Sequence, residues 1–200
     1  NGGQLEMTDS TLQECHYGGG AGERTLYIDS SVATVHNSIF TTSDQYPIYI
    51  LGTSSVVTLT ENIIVGNAYN RILLGANAMM GHDTTLAPQT NWDGYELEAS
   101  LTVPPSITLT MEPGVIVKTA GYPYDMGIVV QGDLEAMGTS AKPNILTSTD
   151  GTPTWAGLIV DGGRADLAYT TVEYACSDIR KANVAVINGG QLEMTDSTVQ

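Results

Sequence analysis

The sequence predicts an all-β fold, a parallel β-helix solenoid of about seven turns per 187-residue module, on three observations. Short β-branched strands that end at a glycine or serine recur as TLYIDS, PIYILG, RILLGA, GIVVQG, GLIVDG and AVINGG. Their stops fall at Ser30, Gly52, Gly75, Gly132, Gly162 and Gly189, in steps of 22, 23, 57, 30 and 27 residues. A second ladder runs through STL at Ser10–Leu12, NSI at Asn37–Ile39, NII at Asn62–Ile64, TTV at Thr170–Val172 and STV at Ser197–Val199, with clear steps of 27, 25 and 27. Finally, NGGQLEMTDSTLQ at residues 1–13 returns as NGGQLEMTDSTVQ at 188–200, differing only in Leu12 against Val199. Strands with this period and no 3.6-residue periodicity between them stack as turns of a coiled parallel sheet, about 4.8 Å apart.

Within such a solenoid, like residues lie above one another and form an apolar column. Ile28, Ile50, Leu74, Val130, Val160 and Val186 are expected in one column, and Leu12, Ile39, Ile64 and Val172 in another. Each buried side chain contributes about 1.5–3 kcal/mol. Glycines at the strand ends permit positive φ at corners. Asn37 and Asn62, 25 residues apart, are expected to form an amide ladder at another corner, broken at Ser10 and Thr170. The 57-residue step hides one turn. Residues 76–100 lack the regular pattern and carry Gly81, Pro88 and Gly94, so they are expected to form an insertion or lateral loop.

Regularity returns at Leu101 with LTVPPSITLTMEPGVIVK, GIVVQGDLEAMGT, KPNILTS and WAGLIV, all within residues 101–163. These pieces resemble right-handed parallel β-helix repeat proteins of secreted bacterial surface and adhesin type, a pectate-lyase-like solenoid without the catalytic motifs. The resemblance covers about a third of the chain directly. It implies the fold more than the function, because one solenoid carries lyases, hydrolases, adhesins and inert fibres.

Composition narrows the function classes. Seven Lys and Arg against 22 Asp and Glu give a net charge of −15, which repels nucleic-acid backbones and anionic lipid surfaces. Apolar runs such as Ile128–Val130 and Leu158–Val160 are too short to span a bilayer. Two cysteines, Cys15 and Cys176, exclude a disulfide-dense scaffold and fit no zinc spacing. Abundant Thr, Ser, Asn and Gly with few Lys indicate an extracellular or cell-surface protein.

No catalytic set is expected. The arginines, Arg24, Arg71, Arg164 and Arg180, fall in no recognised lyase pattern. GHD at Gly81–Asp83 resembles part of a glycoside hydrolase signature but lacks the companion NxD, DD and RIK motifs. His16 and His36 are isolated. Trp92, Asp93 and Tyr95 offer either a sugar-stacking platform or a loop packed down by its aromatics, and Trp155 is expected to cap a core edge. TLT at Thr58–Thr60 and Thr108–Thr110 is too sparse for an ice-binding face. No cofactor is required, calcium apart. Asp29, Asp133 and Asp161, with Glu135 and Asp166, lie near strand ends where they either stack into calcium sites or form a solvated acidic flank.

The long repeat sets the domain reading. Residues 1–187 are expected to be one β-helix module and 188–200 the start of the next; the alternative is a complete protein with matching ends. The junction residues are then Asn1, Gly2, Gly3, Leu5 and Met7, equivalent to Asn188, Gly189, Gly190, Leu192 and Met194. Cys15 of a following module would fall 26 residues after Cys176, one turn on, within reach of an inter-module disulfide. The partner is a further copy, end to end. The function expected is a structural block of a filament, stalk or sheath. The rivals are a polysaccharide-active enzyme or carbohydrate-binding module, and a spacer in a surface adhesin.

Overall fold

A computed structural model describes residues 2–14, 24–119, 126–176 and 181–200. Among them no helix occurs, and every ladder between strands is parallel. The first turn comprises β1 (Gln4–Thr8), β2 (Thr11–Gln13) and β3 (Arg24–Asp29). The second comprises β4 (Val32–His36), β5 (Ile39–Thr41) and β6 (Tyr46–Leu51), and the third β7 (Val56–Thr60), β8 (Ile63–Ile64) and β9 (Arg71–Leu74). The fourth holds β10 (Thr84–Leu86), β11 (Gly94–Leu97) and β12 (Leu101–Val103). The fifth holds β13 (Thr108–Met111), β14 (Ile116–Thr119) and β15 (Gly127–Val130), and the sixth β16 (Asp133–Met137), β17 (Asn144–Ser148) and β18 (Gly157–Asp161). The seventh holds β19 (Arg164–Ala168), β20 (Thr170–Val172) and β21 (Val184–Ile187), after which β22 (Gln191–Thr195) and β23 (Thr198–Val199) open an eighth. The seven-turn period therefore stands.

The first-strand ladders, β1-β4-β7 and β10-β13-β16-β19-β22, have one face in the core and one in solvent. Their sequences alternate accordingly, as in DLEAM of β16, where Leu134 and Ala136 are buried between exposed neighbours. β6 and β18 are buried almost throughout, and they read as the continuous runs YPIYIL and GLIVD. The inward side chains of all turns join in one apolar column from Ile28 to Ala175.

The fourth turn changes the order of the sheets. β11 pairs below with β9, a third strand, and above with β14, a second strand. The ladder β3-β6-β9-β11-β14-β17-β20-β23 thus changes its place within the turn at β11. Beside it, the β2-β5-β8 ladder closes on Thr90, which bridges to Ile63. A new ladder, β12-β15-β18-β21, begins in the same turn. Asn77 Oδ1 accepts the Thr102 amide at 2.8 Å, tying β12 to the segment beneath.

This arrangement overturns the insertion expected at 76–100. The stretch supplies β10 and β11, and it is the turn hidden in the 57-residue step. Ala78, Met79, Met80, Leu86, Tyr95 and Leu97 within it are buried in the core. Strands of three and four residues, broken by Pro88 and Gly94, are too short to display an alternation.

The expected columns also need correction. Ile28, Ile50 and Leu74 share one ladder, whereas Val130, Val160 and Val186 belong to another that starts at Val103. Leu12 stacks on Phe40 rather than Ile39, which points outward. Val172 stacks on Leu146 in a different ladder from Ile64. The Asn37–Asn62 ladder does not form, because Asn37 is a left-handed corner residue that donates to Asp9, while buried Asn62 accepts from the Ser38 amide. Of the strand-end stops, Ser30, Gly52, Gly162 and Gly189 do have positive φ. Gly132 is required for another reason: a Cβ there would collide with the Pro104 and Ile107 carbonyl oxygens.

Candidate functional site

A polar ladder climbs the corner between the first and second strands of each turn. Through the first four turns a backbone amide donates to a side chain of the next rung: Ser10 to Ser38 Oγ (3.2 Å), Ser38 to Asn62 Oδ1 (3.0 Å) and Asn62 to Gln89 Oε1 (3.1 Å). In the upper half the Val115 amide donates to Asn144 Oδ1 (3.0 Å) and the Thr170 amide to Ser197 Oγ (3.0 Å). Strand hydrogen bonds cannot be completed where the chain turns the corner, and these side chains replace them. Ser10 and Ser197, equivalent in the repeat, both belong to this ladder. Its role is positional.

A charged cluster lies on the outer face of the β3-to-β23 ladder. Glu96 receives the Tyr46 hydroxyl on Oε1 (2.8 Å) and Arg71 on Oε2 (2.7 Å), with the Arg71–Glu96 pair largely buried. The Tyr46 and Tyr69 rings stack at 4.9 Å, and the Tyr49 hydroxyl donates to Glu98. Burial first, then Glu96, pushes the Tyr46 hydroxyl well above the usual phenol range. Burial first, then the Arg71 charge, draws Lys118 below its usual value, with Asp93 and Glu96 opposing. A carboxylate with both oxygens engaged by donors acts as a clamp between turns rather than as a base. Tyr46, Arg71, Glu96 and Lys118 were not singled out from sequence. Their spacing of 25, 25 and 22 residues follows the turn period, but mixed residue types at that spacing form no visible motif.

On the outer face of β16, β19 and β22, a groove of about 370 Å³ is lined by Glu135, Met137, Arg164, Asp166, Glu193 and others. Arg164 Nε donates to both oxygens of Asp166 (3.0 and 2.9 Å) and its guanidinium lies 3.6 Å from Glu193. The pair is solvent-exposed and contributes little to stability.

His82 points both ring nitrogens at backbone carbonyls, those of Asp83 and Ser55, each at 2.8 Å. Asp83 Oδ1 accepts the Thr108 amide at 2.8 Å. Thr84 Oγ1 also lies 3.4 Å from Nδ1, so the imidazole is held by backbone and hydroxyl groups on both sides and joins the third turn to the fourth. The Trp92 and Tyr95 rings meet edge to face at 4.9 Å, and buried Tyr95 donates to the Ala87 carbonyl, so the aromatics pack the turn down. Trp155 is fully buried and packs with the core, with Nε1 donating to the Glu173 carbonyl at 2.9 Å.

The calcium candidates do not converge. Asp29 accepts from Ser30 Oγ, Asp161 from Asn188 Nδ2, and Asp133 stacks on Arg164. Among the described residues no group of three or more His, Cys, Asp or Glu is placed to hold a metal ion. Cys176 is an exposed free thiol. Cys15, His16, Arg180 and Asn1 lie outside the described residues. Of the junction residues, Leu5 and Met7 point inward on β1 as Leu192 and Met194 do on β22.

Parallel ladders coiled about one apolar column define a right-handed parallel β-helix protein. The chain belongs to the pectate-lyase like beta helix domain family, whose family model matches residues 78–197, more than half of the chain. No curated protein and no solved structure matches it.

Proposed function

We propose that the chain is a structural module of a long extracellular filament, stalk or sheath built from β-helix units joined end to end. The observation carrying this reading is the return of the 13-residue motif in the same structural role after seven turns. β1 and β22 have the same alternating burial, and the corner residues Asp9 and Asp196 have φ of 52° and 49°. The role calls for no cofactor, and its partners are further copies. The acidic surface argues against nucleic acid as a partner.

A second reading, a polysaccharide-active enzyme or carbohydrate-binding module, draws on the family's fold, which includes enzymes, and on the acidic groove along β16, β19 and β22. Incubation of the chain with a polysaccharide panel, read by reducing ends and unsaturated products, separates the two. The structural reading expects no turnover, and turnover abolished by Asp166→Asn or His82→Ala would overturn it. Electron microscopy of the native assembly is expected to show rods with an axial repeat of roughly 34 Å per module. A gene with uninterrupted modules supports a fibre, and one with a distinct terminal domain supports an adhesin spacer.

A further inference from the structure

The repeated motif is one sequence seen from two sides. At residues 189–200 it lies on the turn below: Leu192 stacks on Ala165, Met194 on Leu167 and Val199 on Val172. The Gln191 amide donates to the Gly163 carbonyl (2.9 Å), the Gln200 amide to the Val172 carbonyl (3.0 Å), and Ser197 Oγ accepts the Thr170 amide. At residues 2–13 it lies under the turn above: Leu5 stacks on Ala33, Met7 on Val35 and Leu12 on Phe40. There the Gly3 carbonyl accepts the Val32 amide (3.0 Å) and the Ser10 carbonyl accepts the Ile39 amide (2.8 Å). The Ser10 amide donates to Ser38 Oγ, and Asp9 accepts from Asn37 Nδ2 at 2.6 Å. The two sets of contacts use different atoms of the motif. The corner is closed in the same way in both, as Ser10 Oγ donates to Thr8 O and Ser197 Oγ to Thr195 O, each at 2.9 Å.

We propose that residues 188–200 are the seat for the Val32–Thr41 turn of a second copy of this module, so that one 13-residue rung serves as the last of one copy and the first of the next. The inference rests on the end-to-end reading above and adds the register of the seam. Leu192 lies between Ala165 below and Ala33 of the following copy above, a large side chain between two small ones. Ser197 passes the corner ladder from Thr170 to Ser38. Adjacent glycines serve opposite neighbours: a Cβ on Gly190 would lie 2.5 Å from the Val160 carbonyl oxygen below, and one on Gly2 would lie 2.8 Å from the Ser30 carbonyl oxygen above.

The same register continues the other sheets. β21 reaches its left-handed corner at Asn188 and β3 reaches its own at Ser30, which sets Val186 beneath Ile28 and Val184 beneath Leu26. Val186 and Val199 are each 45 % exposed, whereas Val160 and Val172, one turn lower in the same columns, are fully buried. An opening of about 140 Å³ at the other end, lined by Leu5, Leu26, Ile28 and Ala33 among others, lies where that register sets the β21 of a preceding copy.

The test is a two-copy chain, residues 1–187 followed by 1–200, compared with the single chain by residue-resolved amide exchange. Exchange across the shared rung, Gln4–Leu12 of the second copy, is expected to be at least about 100-fold slower than across the equivalent Gln191–Val199 of the single chain. Ser38→Ala in the second copy is expected to restore fast exchange at Ser10 of that copy, the equivalent of Ser197. Exchange as fast as in the single chain, protection indifferent to that Ser38, or a two-copy chain that fails to fold where the single chain folds would each overturn the seam. Polysaccharide turnover would sink the mechanical function and leave the seam standing, whereas an unprotected rung sinks the seam alone.

Discussion

Replacing Asn62 with alanine tests the corner ladder at its most buried point. The side chain is fully buried and has three partners: its Oδ1 accepts the Ser38 amide (3.0 Å), and its Nδ2 donates to the Val35 carbonyl (3.0 Å) and to Gln89 Oε1 (3.0 Å). Each buried polar group stripped of its partner costs about 1–3 kcal/mol. Gln89 is anchored through Nε2 to the Leu59 and Ala87 carbonyls and cannot swing to replace the amide. Asn62→Ala is therefore expected to cost about 3–5 kcal/mol in urea denaturation. Because turns interact chiefly with their neighbours, the loss should also appear as faster amide exchange at Ser38 and Ile63 before residues in the seventh turn respond. Gln89→Ala combined with Asn62→Ala should cost less than the two singly, since they share one bond. A loss under about 1 kcal/mol, or exchange that quickens equally in all turns, would refute a local, corner-completing role.

Glu96→Gln retains the shape of the clamp but leaves Arg71 without its counter-ion, and is expected to cost about 2–4 kcal/mol by thermal melting, with little sensitivity to salt. Tyr46, Tyr49 and Tyr95 have their hydroxyl pKa raised above the ordinary 10, chiefly by burial. The folded state holds those protons more tightly, so their contribution is complete below pH 10 and is lost as pH rises through 10 toward the folded values. Urea midpoints should fall from pH 9 to pH 11, and fall less in Tyr95→Phe. At low ionic strength, divalent cations should bundle rods that each carry −15 per chain, and bundles indifferent to chelator would point to direct protein contacts. In unreduced assembled material, mass spectrometry should find the Cys176 peptide joined to the Cys15 peptide of a following copy, and free thiols at both would exclude that bond.

The turn period was legible because β-branched strands and their small-residue stops repeat in type, and the column through Ile28, Ile50 and Leu74 follows from that alone. Joining it to Val130 was an error with a physical origin. GIVVQG looks like PIYILG, yet the two occupy different ladders because the sheets change place at β11. The long step between Gly75 and Gly132 was the only trace of that change. Register failed by one residue at Ile39 and Asn37, where left-handed Asn37 reverses which side chains face inward. The clamp of Tyr46, Arg71, Glu96 and Lys118 was hidden for a different reason: these four are neighbours only across turns, and no two share a residue type.

The irregular fourth turn also determines how the rod carries tension. Pull along the axis falls on the hydrogen bonds between turns, which run parallel to it. At this level the β1-β4-β7 and β2-β5-β8 ladders stop and the β10 and β12 ladders start, while the eight-strand ladder through β9, β11 and β14 crosses without interruption. One sheet alone passes this level whole, as a single through-ply does across the joints of a laminated beam. With copies seated as proposed, the sheet that begins at β12 of one module would run through the next and finish at Thr90 of the third, and it would be whole wherever the first-strand sheet is broken between β7 and β10. No cross-section of the fibre would then be a seam in every sheet at once.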